Sequence, residues 1–248
     1  MNILLTNDDG IQSEGIKALQ AAMPKGTNVV VVAPVSERSA SSHSISLGQK
    51  LRIEDLSHGD VRAYAVHGTP ADCVKFALCG IPHFKPDVVF SGINHGANTG
   101  VSVYYSGTIS GAREGFINRV PAAAISLCSP TFQDFTASME IARRLAESYR
   151  QGILPLNVML NVNVPALPRQ KIKGVKIVKQ AASRFVEEFV LEEEKDGKKI
   201  YTLAGEIEIF DSDGQSDEEA VSNGFIAMTP LKLDMTDYGA MEALRGKF

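Results

Sequence analysis

Six apolar, β-branched runs recur along the chain with helical or loop stretches between them: ILLT at 3, NVVVVAP at 28, VRAYAVHG at 61, DVVFSG at 87, AAAISL at 122 and VMLNVNVP at 158. Runs that are apolar throughout belong in strands covered on both faces, and such strands, separated by helical crossovers, pair in parallel. The pattern therefore restricts the chain to the α/β class, with a mostly parallel sheet sandwiched between helices. A length of 248 residues with 44% hydrophobic content is enough for one sizeable core.

The connections carry their own signals. Ile16, Leu19 and Ala22 at helical spacing make Gly15–Ala22 the first crossover. Thr69 to Leu78 reads as a helix with Thr69 as its cap, Pro70 at its first position and Asp72 three residues after the cap. The stretch DFTASMEIARRLAESYRQG is a long amphipathic helix ending at Gly152, and a further helix is expected from about Ile109 to Asn118. After about residue 180 apolar and charged residues alternate around Asp196 and Gly197, the pattern of a solvent-exposed β-hairpin. Residues 1–180 are thus expected to form the core, and residues 181–248 a hairpin and arm that pack on another subunit.

Charge narrows the function. With 25 basic and 29 acidic residues the net charge is −4, without a dense Lys/Arg block, which speaks against a nucleic-acid polymer as partner. No window approaches the ~20 apolar residues of a membrane span. Cys73, Cys79 and Cys128 have no CxxC spacing and read as free, buried thiols in a reducing compartment, and the N-terminus reads as a strand, so a cytoplasmic protein is expected.

In an open parallel sheet, ligands bind beyond the carboxyl ends of the strands. The ends here are Asn7-Asp8-Asp9-Gly10, the serine-rich PVSERSASSHS from Pro34, and SGINHGANTG from Ser91. Adjacent carboxylates repel unless a cation lies between them, although Asn, Asp and Gly are also ordinary turn residues and an Asp pair can cap a helix. The neighbouring loops supply hydroxyl and amide oxygens, a donor set suited to Mg²⁺ or Mn²⁺ rather than zinc. His43 and His95 are either polar loop residues or groups that ligate or exchange protons. Ser106-Gly107-Thr108 precedes a helix, where it is either a plain cap or a phosphate cradle of free N–H groups. The absence of GxxxxGK[ST], GxGxxG after the first strand and GxSxG argues against a P-loop ATPase, a dinucleotide oxidoreductase and a serine esterase. A metal beside an anion cradle suits phosphoryl transfer to water.

On the motifs ILLTNDDG, VVAPVSERSASSHSIS, HGTPADCV, SGINHGANTG, YSGTISGAREG, LNVNVP and FIAMTPL, followed by Asp234, the chain resembles the SurE family of stationary-phase survival nucleotidases. The resemblance implies a Rossmann-like core and a C-terminal arm exchanged within a homodimer, often paired into a homotetramer. It implies one divalent ion, Mg²⁺ or Mn²⁺, held by Asp8, Asp9, Ser39 and Asn94, with the two aspartates catalytic. It further implies phosphate contacts from Asn98, Ser106, Gly107 and Thr108. The substrates implied are nucleoside 5′- and 3′-monophosphates and short polyphosphate. Val35 stands where relatives often carry an acidic residue, and Ser216 where a threonine is usual. Attack by water activated at the ion is expected in preference to an aspartyl-phosphate. The rival readings are a non-catalytic nucleotide sensor using the same cradle and a metal-dependent hydrolase of another bond, such as an amide.

Overall fold

The computed structural model describes residues 1–59, 61–211 and 213–247. In chain order the elements are β1 (Asn2–Thr6), α1 (Glu14–Ala22), β2 (Asn28–Pro34), β3 (Ile53–Asp55), β4 (Arg62–Val66), α2 (Pro70–Cys79), β5 (Val88–His95), α3 (Ser102–Tyr105), α4 (Gly107–Ile117), β6 (Ala122–Cys128) and α5 (Thr136–Arg150). They continue with β7 (Met159–Pro165), β8 (Val175–Ile177), β9 (Ser183–Lys195), β10 (Lys198–Ile209), α6 (Asp217–Ser222), β11 (Ile226–Leu231) and α7 (Tyr238–Leu244).

Nine strands form one sheet in the order β3-β4-β2-β1-β5-β6-β7-β11-β8. From β4 to β7 every neighbouring pair is parallel, while β3 and β11 run antiparallel to β4 and β7. The chain builds outward from β1 to β2 and β4, then returns to place β5 on the other side of β1. Strand order therefore reverses between β1 and β5, the point at which open α/β sheets bind ligands.

Alternation within the strands divides the core in two. Ile3 and Leu5 of β1 join Ile16 and Leu19 of α1 and Ile141 and Leu145 of α5 on one face. Leu4 joins Cys73 and Val74 of α2 and Ile109 and Ala112 of α4 on the other. The mostly parallel three-layer sandwich expected from the apolar runs is the observed fold. Local chemistry sets the helix starts. Ser13 caps α1, and Thr69 and Asp72 exchange side-chain-to-backbone hydrogen bonds as a capping box at α2.

Two expectations shift. The helix placed at Ile109–Asn118 begins at Gly107, because Ser106 turns out to be its cap, with its hydroxyl accepting from the Ile109 N–H. Gly107 and Thr108 thus lie in the first turn. The cysteines are all free, but only Cys73 is buried: Cys128 is half-buried, and Cys79 is exposed because it ends α2 two residues past Ala77, the last buried residue of that helix.

β9 and β10 form the antiparallel hairpin, closed by Asp196 and Gly197 at φ +51° and +72°, the paired positive dihedrals of a tight two-residue turn. Its strands leave Phe189, Leu191, Ile200 and Leu203 exposed. Beyond the hairpin the chain returns to the core, where β11 enters the main sheet between β7 and β8 and α6 packs alongside. Among the described residues no helix is long and apolar enough to cross a membrane.

Candidate active site

β1 delivers Asn7, Asp8 and Asp9 at its carboxyl end, and β5, paired so that Ser91 faces Thr6, delivers Asn94 and His95 alongside. α4 points its N-terminus at the same place. The Thr108 hydroxyl donates to Asp8 Oδ1, and Gly107 approaches so closely that a Cβ on it would stand 2.7 Å from the Asp8 Cβ. Only glycine permits that approach. Gly92 in β5 is required for a similar reason, since at φ +139° a Cβ would come 2.3 Å from the Ile125 carbonyl oxygen.

Both carboxyls are displaced from their ordinary behaviour. Burial pushes Asp8 up, against hydrogen bonds from the Thr108 side chain and backbone. Burial and the neighbouring Asp8 push Asp9 up to about 7, only partly offset by the His95 backbone N–H, and Glu37 adds further negative potential at both. Without a counter-charge this pair holds protons that free carboxyls would lose.

Around them several buried polar atoms have no partner: Asp9 Oδ2, Asn7 Oδ1, Thr6 Oγ1, Ser91 Oγ and His95 Nε2. Native interiors rarely leave such groups unpaired, and their grouping marks the place of a ligand. Among the described residues no three His, Cys, Asp or Glu side chains are arranged to hold a metal. A cation here must therefore draw on neutral oxygens besides the Asp pair. Asn94 supplies one, since its Nδ2 donates to the Gly96 carbonyl and its Oδ1 stays available. Ser39 is exposed on the β2–β3 loop, its hydroxyl donating to Glu37 at 2.5 Å, and the Arg38 N–H ties this loop to the Asp8 carbonyl at 2.7 Å. Two adjacent carboxylates in need of a counter-charge, with these neutral oxygens, fit a hard divalent ion.

The residues expected at the phosphate take distinct positions. Ser106 spends its hydroxyl capping Ile109, and Thr108 spends its own on Asp8. Among the described residues the Gly107 N–H has no partner, at the positive end of the α4 dipole. Asn98 lies behind the site in a buried amide network. Its Nδ2 donates to Ser126 Oγ at 2.8 Å, and its backbone is held by Asn161 and Asn163. Sequence reasoning missed Glu37, two residues before Ser39 and beside both aspartates; its place within the ERSA motif was the available signal. It also missed Asp217, whose carboxylate accepts the N–H groups of Gly100 and Ala181 and so ties the Asn98 loop to the base of the hairpin.

The family model described as Survival protein SurE matches residues 3–187. A 5′-nucleotidase SurE from Symbiobacterium thermophilum is 44% identical over 248 residues, covering 98% of this chain and 96% of the relative. One from Moorella thermoacetica is 43% identical over 246 residues, covering 98% and 95%. The crystal structure of SurE protein from Aquifex aeolicus superposes with a TM-score of 0.84 at 35% identity, covering 98% of each chain.

Proposed function

Since the chain belongs to the Survival protein SurE family, we propose that it is a 5′-nucleotidase that hydrolyses the phosphate ester of nucleoside monophosphates with a divalent metal. The carrying observation is the buried pair Asp8 and Asp9, with Asp9 Oδ2 unpartnered, set against the open first turn of α4. Asp8, Asp9, Ser39 and Asn94 would hold one Mg²⁺ or Mn²⁺. When bound, the ion supplies Lewis-acid activation of the attacking water and neutralises charge on the phosphate.

The chain's own groups orient the substrate. The Gly107 N–H and the α4 dipole receive phosphate oxygens, while the Ser106 cap fixes the direction of that turn. Thr108 holds Asp8 in one rotamer and thereby sets the spacing between carboxylate and cradle. Asn98 stiffens the loop before α3 from its buried network, and its Oδ1 is left to accept from a substrate hydroxyl. Water rather than an aspartate is the expected nucleophile, because Asp8 is buried and engaged by Thr108 and Asp9 would be committed to the ion. Single-turnover hydrolysis in ¹⁸O water tests this: label in a protein carboxylate would establish an aspartyl-phosphate instead.

The groups assembled here address phosphate rather than one sugar position, which supports hydrolysis of 3′-monophosphates and short polyphosphate as well. The exposed apolar residues of the hairpin, and an α7 that buries none of its residues, support a homodimer or homotetramer built through the C-terminal segment. Free thiols support a reducing, cytoplasmic location.

The deciding experiment is Asp8→Asn, followed by Mn²⁺ calorimetry, phosphate release from 5′-AMP and circular dichroism. Loss of metal binding and of hydrolysis with an intact fold is expected; retention of both would overturn the assignment. If wild-type protein released no phosphate from 5′-AMP or p-nitrophenyl phosphate with Mn²⁺ relative to EDTA, a nucleotide sensor would be the better reading.

A further inference from the structure

Outside the Asp pair, one buried charged cluster has no part in the chemistry above. Glu114, on α4, is 2% exposed, and its carboxylate is fully used. Oε2 pairs with His43 Nε2 at 2.9 Å, and Oε1 accepts from Lys75 Nζ of α2 at 2.7 Å and from Asn118 Nδ2 at 2.9 Å. Burial alone would push this carboxyl up, but the bonds from His43 and Lys75 hold it below the usual range. Ion pairs of this kind are weak devices for stability, since apolar side chains of similar volume do as well; their better-attested use is to fix one arrangement among several.

What the cluster fixes is the loop that carries Ser39. His43 lies four residues beyond Ser39, and next to it Ser42 donates its N–H to the Tyr105 carbonyl at 3.0 Å and its hydroxyl to the Tyr104 carbonyl at 2.8 Å. Tyr104 and Tyr105 immediately precede the cap of α4. Glu114 stands seven residues after Gly107, two turns along the same helix. One rigid rod therefore bears the groups that meet Asp8 at its start and the carboxylate that holds the opposing loop farther down.

We propose that His43, clamped by Glu114 and Lys75, is a positioning residue that holds the Ser39 loop over Asp8 and Asp9 and sets affinity for the divalent ion without touching it. This builds on the metal site put forward above. Its Nε2 is committed to Glu114, so the ring is held in one orientation by that bond.

The test compares His43→Ala, His43→Gln and Asp9→Asn with wild type, reading Mn²⁺ affinity by calorimetry, thermal midpoint, and kcat and KM for 5′-AMP. A glutamine amide can donate to Glu114 from nearly the position of Nε2, whereas alanine cannot. Loss of a group that orients a metal ligand typically costs about 10-fold or more in affinity, so His43→Ala should weaken Mn²⁺ binding by roughly that factor. Its midpoint should fall as well, since one partner of a buried carboxylate is removed, but kcat should recover at saturating Mn²⁺, and His43→Gln should restore most of both affinity and midpoint. If His43→Gln is as impaired as alanine, the ring itself is required and the proposal fails. If His43→Ala binds Mn²⁺ like wild type while Asp9→Asn does not, the proposal fails and the metal site stands. Mn²⁺ retained by Asp9→Asn would overturn both.

Discussion

At Gly107 a single hydrogen atom separates a working site from a blocked one. A methyl group there would stand 2.7 Å from the Asp8 Cβ, so Gly107→Ala must displace either the carboxylate or the first turn of α4. In an open helix the same change stabilises by up to about 1 kcal/mol. Here it should instead lower Mn²⁺ affinity by about 10-fold or more, as loss of ligand orientation does, which calorimetry checks against a denaturant midpoint that barely moves. Asp9 gives a second prediction at this scale. Its folded carboxyl titrates near 7 against an ordinary 3.8, so the metal-free native state holds a proton that the unfolded chain has lost. Stability of the metal-free protein should therefore fall as pH rises from about 4 to about 7 and then level off, a loss of about 2 kcal/mol after discounting for solvent screening. Urea titrations in EDTA measure it. Asp9→Asn should make the profile shallower, leaving the part that Asp8 contributes, and Mn²⁺ should restore stability most strongly above pH 7. The NDDG motif announced the acidic pair, but the size of its penalty comes chiefly from burial, which only the fold supplies, with Glu37 a minor addition.

Elements show where sequence reasoning carries and where it stops. α1, α2 and α5 were legible from their apolar stripes, α2 also from its Thr69–Asp72 cap, whereas α5 starts without a side-chain cap. Ile141, Leu145 and Tyr149 follow helical spacing, and Leu145 is buried at the α5–sheet contact. Leu145→Ala should cost about 2–5 kcal/mol in chemical denaturation and leave KM for 5′-AMP unchanged. Ser106→Ala makes the contrast: loss of the α4 cap should cost only about 1 kcal/mol yet raise KM, because the cap also aims the phosphate cradle. The start of α4 was placed two residues late in the sequence, where Ser106-Gly107-Thr108 read as a cap or a phosphate cradle ahead of the helix rather than as its first turn. β3 and β8, three residues each, and β11, which contains Pro230, escaped detection for a physical reason. They are short edge or near-edge strands whose pairing is decided by long-range partners rather than by local pattern. The amide network of Asn98, Asn161 and Asn163 was illegible for the same reason, joining residues more than 60 positions apart.

For the whole molecule, the open question is how the exposed apolar surface of the hairpin is covered. Phe189 and Leu203 are 71% and 58% exposed, on strands otherwise rich in glutamate. Replacing both with glutamate should shift multi-angle light scattering toward a smaller species while the circular dichroism of the core stays unchanged. An unchanged mass would place the subunit contact elsewhere. The alternating pattern made the hairpin readable in advance, but the return of the chain to the sheet after it was not.

That return governs the order in which the protein can be made. β11, at residues 226–231, is the strand that β7 and β8 both pair with, and α6 just before it supplies the Asp217 carboxylate that grips Gly100. A ribosome must therefore deliver residues through 231 before the sheet closes and through 217 before the loop ahead of α4 is secured. Nascent chains that stop short of β11 carry both aspartates and the cradle sequence but lack the Asp217 brace on the loop ahead of α4, so the site should be set only after residue 231 has been added.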